Sequence, residues 1–182
     1  MRVIAGTFGG RRLHAPRGRV TRPTSERVRE ALFSMLGPLH DEVVLDLFAG
    51  TGALAIEALS RGAARAVLVE RDRRALAALQ RNLAELGLGP AQAEVRREEA
   101  LRALGNASAG AEKYDLLFVD PPYRQTGELG RELAVALPPL LAPQARVVVE
   151  SDARRGEPLV LPLAVQAQRR YGDTSITIHG QP

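Results

Sequence analysis

The sequence contains no cysteine among its 182 residues. Disulfide bonds, thiolate metal sites and a cysteine nucleophile are therefore excluded. The three histidines, His14, His40 and His179, stand far apart and lack the spacing of metal ligands. The sequence thus predicts no metal site and gives the histidines ordinary surface or packing roles.

Long apolar runs are also missing, because no stretch approaches the roughly 20 uninterrupted apolar residues that a membrane helix needs. Residues 1–7 include a basic residue but no apolar segment of the kind found in secretory signals. We therefore expect a cytoplasmic protein that contacts no membrane. A hydrophobic content of 45% in a chain of this length is enough for the core of one domain.

Lysine is scarce, since Lys113 is the one lysine beside 24 arginines. Residues 1–29 hold eight of these arginines and a single acid, Glu26, so this segment carries +7 although the whole chain carries +4. Arginine guanidinium groups match phosphate oxygens and stack on bases, which predicts nucleic-acid contact, with a merely solvated basic segment as the alternative. The residues predicted to contact RNA are Arg2, Arg11, Arg12, Arg17, Arg19, Arg22 and Thr24.

The basic segment has its own predicted structure. Residues 3–5 and 12–14 flank three glycines and predict a hairpin. Thr24 or Ser25 then caps a helix whose apolar residues recur at helical spacing and which Gly37-Pro38 ends. We predict that residues 1–40 form an RNA-contacting extension and that residues 41–182 form a catalytic domain.

Strand and helix patterns alternate from Val43 onward, which predicts an α/β fold with a doubly wound, mostly parallel sheet. Two further strand patterns near the end are separated only by Gly172-Asp173, a link that permits only an antiparallel hairpin. The predicted sheet is Rossmann-like and seven-stranded. The predicted strands are 43–48, 66–70, 93–97, 115–119, 145–150, 165–171 and 174–179, and the predicted helices of this part are 53–61, 73–86, 99–104 and 126–137.

A glycine-containing loop, residues 46–52, follows the first apolar strand. Gly50 and Gly52 allow a tight turn and a close approach of the backbone to a ligand, and the next helix presents its amino terminus there. This pattern predicts a nucleotide-cofactor loop. The residues predicted to contact the cofactor in the loop are Asp46, Phe48, Ala49, Gly50 and Gly52.

The next two strand ends carry residues that suit the rest of such a cofactor. Glu70 ends the second strand, where an acid accepts hydrogen bonds from ribose hydroxyl groups. Glu99 and Ala100 follow the third strand, where an acceptor and a small residue can meet an adenine ring. Arg71 is predicted to stack on that ring or to point outward.

The same loop also fits the G-x-G-x-x-A fingerprint of dinucleotide-binding enzymes, with Glu70 at roughly the expected distance. A nicotinamide enzyme gives no reason, however, for the residues that end the fourth strand. The chain also lacks the length for a separate substrate domain. A dehydrogenase is therefore the disfavoured interpretation.

The fourth strand ends in Asp120-Pro121-Pro122-Tyr123, the more specific motif. An exocyclic amino nitrogen of a base is a poor nucleophile because its lone pair is delocalised into the ring. Asp120 and the carbonyl group of Pro121 can accept its two N–H groups and direct the lone pair, while Tyr123 stacks on the base. We also predict that Asp120 contacts the cofactor and that Pro122 helps to fix the turn. Together, the two motifs predict methyl transfer from S-adenosylmethionine to an amine.

Beyond these motifs, the chain resembles the RsmD family of small-subunit ribosomal RNA guanine-N2 methyltransferases, which have the class I methyltransferase fold. The resemblance implies methylation of the guanine at position 966 of 16S rRNA, an unpaired loop base, in an assembled or partly assembled small subunit. The family often has Asn or Asp where Glu99 stands. We expect a monomer. The segments that carry the resemblance are residues 2–6, 10–13, 22–24, 27–30, 46–54, 57–61 and 120–123.

Other functions remain open at this point. Amino methyltransferases of DNA adenine or protein glutamine use a similar clamp. DNA enzymes usually carry a target-recognition domain for which this chain has no room. The glutamine enzymes have a clamp of the type Asn-Pro-Pro-Tyr, whereas this chain has Asp120 at its first position. A non-catalytic RNA-binding assembly factor is the remaining alternative, and binding of S-adenosylmethionine distinguishes it from an enzyme.

Overall fold

The computed structural model describes residues 1–16, 25–121, 126–154, 159 and 161–180, in which helices and strands alternate. The helices are α1 (Glu26–Leu36), α2 (Ala53–Ser60), α3 (Arg73–Leu86), α4 (Ala100–Ala109) and α5 (Thr126–Ala136), with a 3₁₀ turn at Pro138–Leu140. The strands are β1 (Val43–Asp46), β2 (Arg65–Val69), β3 (Ala93–Arg96), β4 (Tyr114–Val119), β5 (Leu141–Asp152), β6 (Ala164–Tyr171) and β7 (Thr174–Gly180).

The strands form one seven-stranded sheet in the order β3-β2-β1-β4-β5-β7-β6. The first five strands are parallel, and β7 pairs antiparallel with both β5 and β6. This topology confirms the predicted mostly parallel sheet and its terminal antiparallel hairpin. Because parallel strands end at one edge, the residues that follow β1, β2, β3 and β4 all lie along the same side of the molecule.

Each face of the sheet is covered by its own layer. Alternate strand residues such as Val44 and Leu116 pack against α1, α2 and α3, whereas their neighbours Leu45 and Leu117 pack against α4 and α5. This period of two is what a sheet buried on both faces requires. No helix in the described part of the chain is long and apolar enough to cross a membrane.

Several predicted bounds were wrong. The helix predicted at 99–104 runs to Ala109, because Ala103, Leu104 and Ala107 pack under the sheet and outweigh the weak helix propensity of Gly105 and Asn106. The strand predicted at 145–150 begins at Leu141, since Leu141 pairs with Tyr114 before a register shift. The strands predicted to end at 48, 70 and 97 end at Asp46, Val69 and Arg96.

The amino-terminal segment forms the predicted hairpin, but the hairpin is shifted toward the amino terminus. Its two halves meet at the bridge between Arg2 and Arg12, beside which the Val3 N–H group donates to the Arg11 carbonyl at 2.9 Å. Beyond this bridge, the N–H groups of Ile4 and Ala5 donate to the Glu57 carboxylate of α2 at 2.7 and 3.1 Å. The pairing therefore involves residues 1–3 and 10–13 rather than 3–5 and 12–14, because α2 satisfies the next backbone groups of the segment.

The segment is nevertheless part of the main core. Val3 and Leu13 are buried in the cluster formed by α1, α2 and α3. Ser25 caps α1 by accepting from the N–H group of Val28, as predicted, and Gly37 ends the helix with a φ of 74°. The basic segment thus packs against α1, α2 and α3.

Candidate active site

The two motifs lie on neighbouring strands. In the sheet register Asp46 of β1 pairs with Phe118 of β4, and the Leu47 N–H group donates to the Phe118 carbonyl at 3.1 Å. The glycine loop and Asp120 therefore leave the sheet side by side. Residues separated by more than 70 positions meet because their strands are parallel and adjacent.

Two glycines shape the loop, and each is required for a different reason. Gly52 has a φ of 80°, which strains any other residue, and a Cβ atom there would lie 2.4 Å from Leu79 Cδ1, so the buried Leu79 side chain would have to move. Gly50 has a φ of 55°, and the nearest atom to such a Cβ would be the Phe48 carbonyl oxygen at 3.9 Å. Among the described residues no other atom comes near this position, so a ligand can approach the backbone there.

Glu70 closes the loop from the second strand. Its Oε2 atom accepts from the Gly50 N–H group at 2.8 Å, and its Oε1 atom accepts from the Asp72 N–H group at 2.7 Å. The half-buried carboxylate thus links the end of β2 to the loop after β1. A carboxylate has about four acceptor positions, so both oxygens retain capacity for hydroxyl donors.

Asp46 places a carboxyl group beneath the loop, where it is 2% exposed. Burial raises the pKa of Asp46 to about 7, the nearby Glu70 charge adds to the rise, and the Phe48 and Ala55 N–H groups oppose it. Its Oδ2 atom has no hydrogen-bond partner within the part of the chain that the structure describes. This site therefore favours a cationic neighbour that would compensate the ionised form.

We expect an Asp46→Asn variant to change the pH dependence of stability. The folded state retains the Asp46 proton to about pH 7, whereas the unfolded chain loses it near 3.8. Between these values the folded state binds more protons, so the wild-type free energy of unfolding falls as pH rises, by at most about 4 kcal/mol from this group. The Asn variant lacks this loss and gains stability over the wild type at about pH 8 but not at about pH 4. Urea unfolding at both pH values measures the difference in free energy of unfolding between the variant and the wild type. A difference that does not change with pH would contradict the raised pKa of Asp46.

The adenine side of the predicted site contains an ion pair. Arg71 donates through Nη1 to both carboxylate oxygens of Glu99 at 2.9 Å, joining the loops after β2 and β3. Both side chains are exposed, and Glu99 makes no side-chain cap to α4. Ala100 is buried at the start of that helix. Arg71 therefore turns toward Glu99 along the sheet edge.

Asp120 lies at the end of β4 beside a second acid, Glu150 of β5. Both line a small pocket between α1, α2 and the sheet, whose other walls are apolar. Burial raises the pKa of Asp120 well above its usual range, and the charges of Glu150 and Asp46 raise it further. The apolar residues of this pocket are Leu32, Leu54, Phe118, Val119, Val148 and Ile176.

Glu150 is a site residue that the sequence motifs do not predict, and it is only 5% exposed. The signal was an acid directly after the apolar run Val147–Val149, the same pattern that identified Asp46 and Asp120. No glycine or proline motif follows Glu150, so the pattern alone does not mark it as a site residue. Asn82 is not predicted either, because it lies within the leucine stripe of α3.

The remaining predicted site residues fall into two groups. Phe48 is half-buried against the α4 and α5 layer, and the buried Ala49 donates its N–H group to the Val69 carbonyl at 3.0 Å. Pro121 is buried next to Asp120. Pro122 and Tyr123 lie outside the described residues.

The predicted RNA contacts are partly described. Arg2 is exposed and pairs with Glu26 at 3.1 Å. Arg11 donates to the Glu85 carbonyl at 2.7 Å, and Arg12 is exposed. Arg17, Arg19, Arg22 and Thr24 lie outside the described residues.

Known proteins are similar to this chain in both sequence and fold. The family model described as Conserved hypothetical protein 95 matches residues 1–180. The chain is 41% identical over 162 residues to the ribosomal RNA small subunit methyltransferase D of Escherichia coli (strain K12), covering 88% of this chain and 79% of that protein. A hypothetical protein of Thermus thermophilus has a TM-score of 0.81 and 32% identity, over 98% of each chain.

A more distant structure has the same architecture. An RNA methyltransferase from Salinibacter ruber, solved in complex with S-adenosyl-L-homocysteine, has a TM-score of 0.67 at 20% identity. The match covers 88% of this chain and 94% of that one. At this identity the likeness concerns the fold, and it confirms the predicted Rossmann-like architecture.

Proposed function

This chain belongs to the RsmD family, described as Conserved hypothetical protein 95, and on that premise we propose that it is an rRNA methyltransferase using S-adenosylmethionine. The acceptor we propose is the exocyclic N2 of a guanine in small-subunit rRNA, at position 966 of 16S rRNA by family resemblance. The support is a relative named ribosomal RNA small subunit methyltransferase D that matches 88% of this chain. The substrate we propose is an assembled or partly assembled small subunit.

One structural observation carries this proposal: Asp120 leaves the sheet on the strand next to the glycine loop. The charge of Asp46 in that loop raises the pKa of Asp120, which reflects how close the two groups are. A donor held at the loop and an amino group held at Asp120 would therefore be neighbours. Holding two reactants in this way removes much of the entropic barrier to their reaction.

The loop fits the methyl donor in charge and shape. S-adenosylmethionine supplies an electrophilic methyl group on a positively charged sulfur. The buried Asp46 carboxylate favours a nearby cation, and the open space at Gly50 admits a ligand against the backbone. Glu70 would accept from the ribose hydroxyl groups, while Glu99, Arg71 and Ala100 would border the adenine.

Asp120 and Pro121 would prepare the acceptor. In this arrangement the Asp120 carboxylate accepts one N–H of the guanine amino group, and the Pro121 carbonyl accepts the other. The nitrogen lone pair then leaves the plane of the base and points toward the donor. Because its pKa is raised, Asp120 is a stronger proton acceptor than an ordinary aspartate, which suits it to take the proton that the nitrogen loses.

Residues 1–40 would supply the contacts to the RNA backbone, and residues 41–182 would carry out the chemistry. Arg2, Arg11 and Arg12 lie on the segment that packs against α2 and α3, and Arg17, Arg19, Arg22 and Thr24 belong to the same segment of sequence. A phosphate backbone that follows this segment would pass near the edge that holds Asp120. The base would then be read in the pocket, where we assign stacking to Tyr123 and the fixed turn to Pro122.

We expect Glu70→Ala to weaken binding of S-adenosylhomocysteine by about 1 to 3 kcal/mol, or roughly 5- to 150-fold. The variant loses the proposed ribose acceptor and also releases the Gly50 N–H group that Glu70 holds. Isothermal titration calorimetry measures the affinity directly. Glu70→Gln retains the size and one acceptor oxygen, so its loss is expected to be smaller. An unchanged affinity in the Ala variant would remove Glu70 from the donor site.

The cellular test uses a strain that lacks its own copy of this methyltransferase. Primer extension on its 16S rRNA should regain the stop caused by N2-methylguanine when this chain is expressed, and should not regain it with Asp120→Ala. A stop that never returns, although the protein is folded and binds the donor, would refute the proposed target. Methylated adenine in its place would support the nucleic-acid alternative.

A further inference from the structure

Asn82 is a polar side chain in an apolar position. It lies on the buried stripe of α3 with Leu76, Leu79 and Leu83, and it is 1% exposed. A buried amide destabilises the fold unless it has hydrogen-bond partners. The partners of Asn82 therefore indicate its role. Its amide group contacts two different parts of the chain.

The first partner is the basic amino-terminal segment. Asn82 Oδ1 accepts from the His14 N–H group at 2.7 Å, and its Nδ2 donates to the His14 carbonyl at 3.1 Å. The side-chain amide thereby pairs with one backbone residue on both of its polar groups, as a neighbouring strand would. This pairing holds the returning half of the segment, next to Arg11 and Arg12.

The second partner is the glycine loop. The remaining Nδ2 hydrogen of Asn82 donates to the Thr51 carbonyl at 2.9 Å. Thr51 stands between Gly50 and Gly52, both of which have positive φ, so this carbonyl fixes the plane of a peptide at the tip of the loop. The Thr51 hydroxyl group also faces Met1 Sδ at 3.8 Å, a second contact between the loop and the amino-terminal segment.

We propose that Asn82 is a positioning residue that couples the glycine loop, where the methyl donor would bind, to the basic amino-terminal segment, which would contact RNA. This inference rests on the proposed function. One amide holds the Thr51 carbonyl and the His14 backbone together, so a ligand that orders the loop also orders the segment. Coupling of this kind is reciprocal, and methyl-donor binding and RNA binding strengthen each other.

Glu85 offers a matched control on the same helix. Its Oε2 atom lies 2.9 Å from His14 Nε2, so it holds the same residue of the segment one turn farther along. Within the part of the chain that the structure describes, its side chain bonds to His14 and Arg81, and neither residue belongs to the glycine loop. Loss of Glu85 therefore loosens the segment without releasing Thr51.

The test compares wild type, Asn82→Asp and Glu85→Ala by calorimetry and hydrogen exchange. Asn82→Asp keeps the acceptor for the His14 N–H group but loses both donors, so we expect about tenfold weaker binding of S-adenosylhomocysteine. In the wild type that ligand should slow amide exchange in residues 9–16, and the Asp variant should lose this protection. Glu85→Ala should keep both the affinity, within about twofold, and the protection.

Each outcome decides a separate point. Wild-type affinity in Asn82→Asp, or an equal loss in Glu85→Ala, would overturn the coupling. If Asn82→Asp does not fold, the wild type alone tests the inference. The inference is refuted if S-adenosylhomocysteine does not slow amide exchange in residues 9–16 of the wild type. Absence of any S-adenosylhomocysteine binding by the wild type would instead refute the proposed function.

Discussion

We expect the Asp120→Ala variant to transfer methyl groups on the order of 10²-fold more slowly than the wild type while binding S-adenosylhomocysteine with nearly the same affinity. In the proposed arrangement Asp120 holds the acceptor, so its loss would remove an interaction with the reacting amino group rather than with the donor. Single-turnover methyl transfer and calorimetry measure the two quantities separately. Equal losses in both would mean that Asp120 is a structural residue.

The pH dependence sharpens this prediction. The ionised carboxylate is the form that accepts an N–H group, and burial beside Glu150 and Asp46 raises its pKa. The wild-type rate should therefore rise with pH through a titration above the ordinary aspartate value of 3.8. Glu150→Gln removes one charge that opposes ionisation and should move the profile to lower pH. A profile that Glu150→Gln leaves in place would contradict the coupling of the two acids.

The second large effect is expected for RNA binding when Arg11, Arg12 and Arg19 are changed together to Ala. Each lost phosphate contact reduces the salt dependence of the affinity, and three contacts would make the logarithmic slope shallower by about 2. The affinity itself should fall on the order of tenfold or more at about 0.1 M salt. A salt titration of binding to small ribosomal subunits measures both, and donor affinity should stay close to that of the wild type.

A control with the same change of charge separates a local contact from overall attraction. Arg102, Lys113 and Arg131 are exposed on or near the helices that cover the other sheet face. Their replacement by Ala should alter the slope much less than the arginine variant does. Equal effects of the two triple variants would show that the basic segment contributes only its net charge.

The strand ends of the site were predictable from local sequence. An apolar run followed by Asp46, by Glu70 or by Asp120 marks three neighbouring strands and the edge they share, although the first two strands end one or two residues before the predicted position. Gly172-Asp173 likewise determined the antiparallel hairpin, since two residues leave no room for a crossover. These features depend on neighbouring residues, and the structure confirms them.

What the sequence could not predict depends on distant partners. The N–H groups of Ile4 and Ala5 bond to Glu57, more than 50 residues away, in place of a longer hairpin ladder. Arg29 was counted with the basic segment, but it is fully buried and donates to the Arg2 carbonyl at 2.6 Å. The position of Asn82 within the leucine stripe does not predict its hydrogen bonds to His14 and Thr51. Burial and long-range pairing decide these features, and neither follows from spacing.

The most direct test of the account is the identity of the methylated product. Small ribosomal subunits from a strain lacking its own enzyme would be incubated with this protein and methyl-labelled S-adenosylmethionine, and the rRNA would be digested to nucleosides. We predict that the label appears in N2-methylguanosine and that Asp120→Ala reduces it on the order of 10²-fold. Label in N6-methyladenosine or in ribosomal protein, or no label from a protein that binds the donor, would contradict the account.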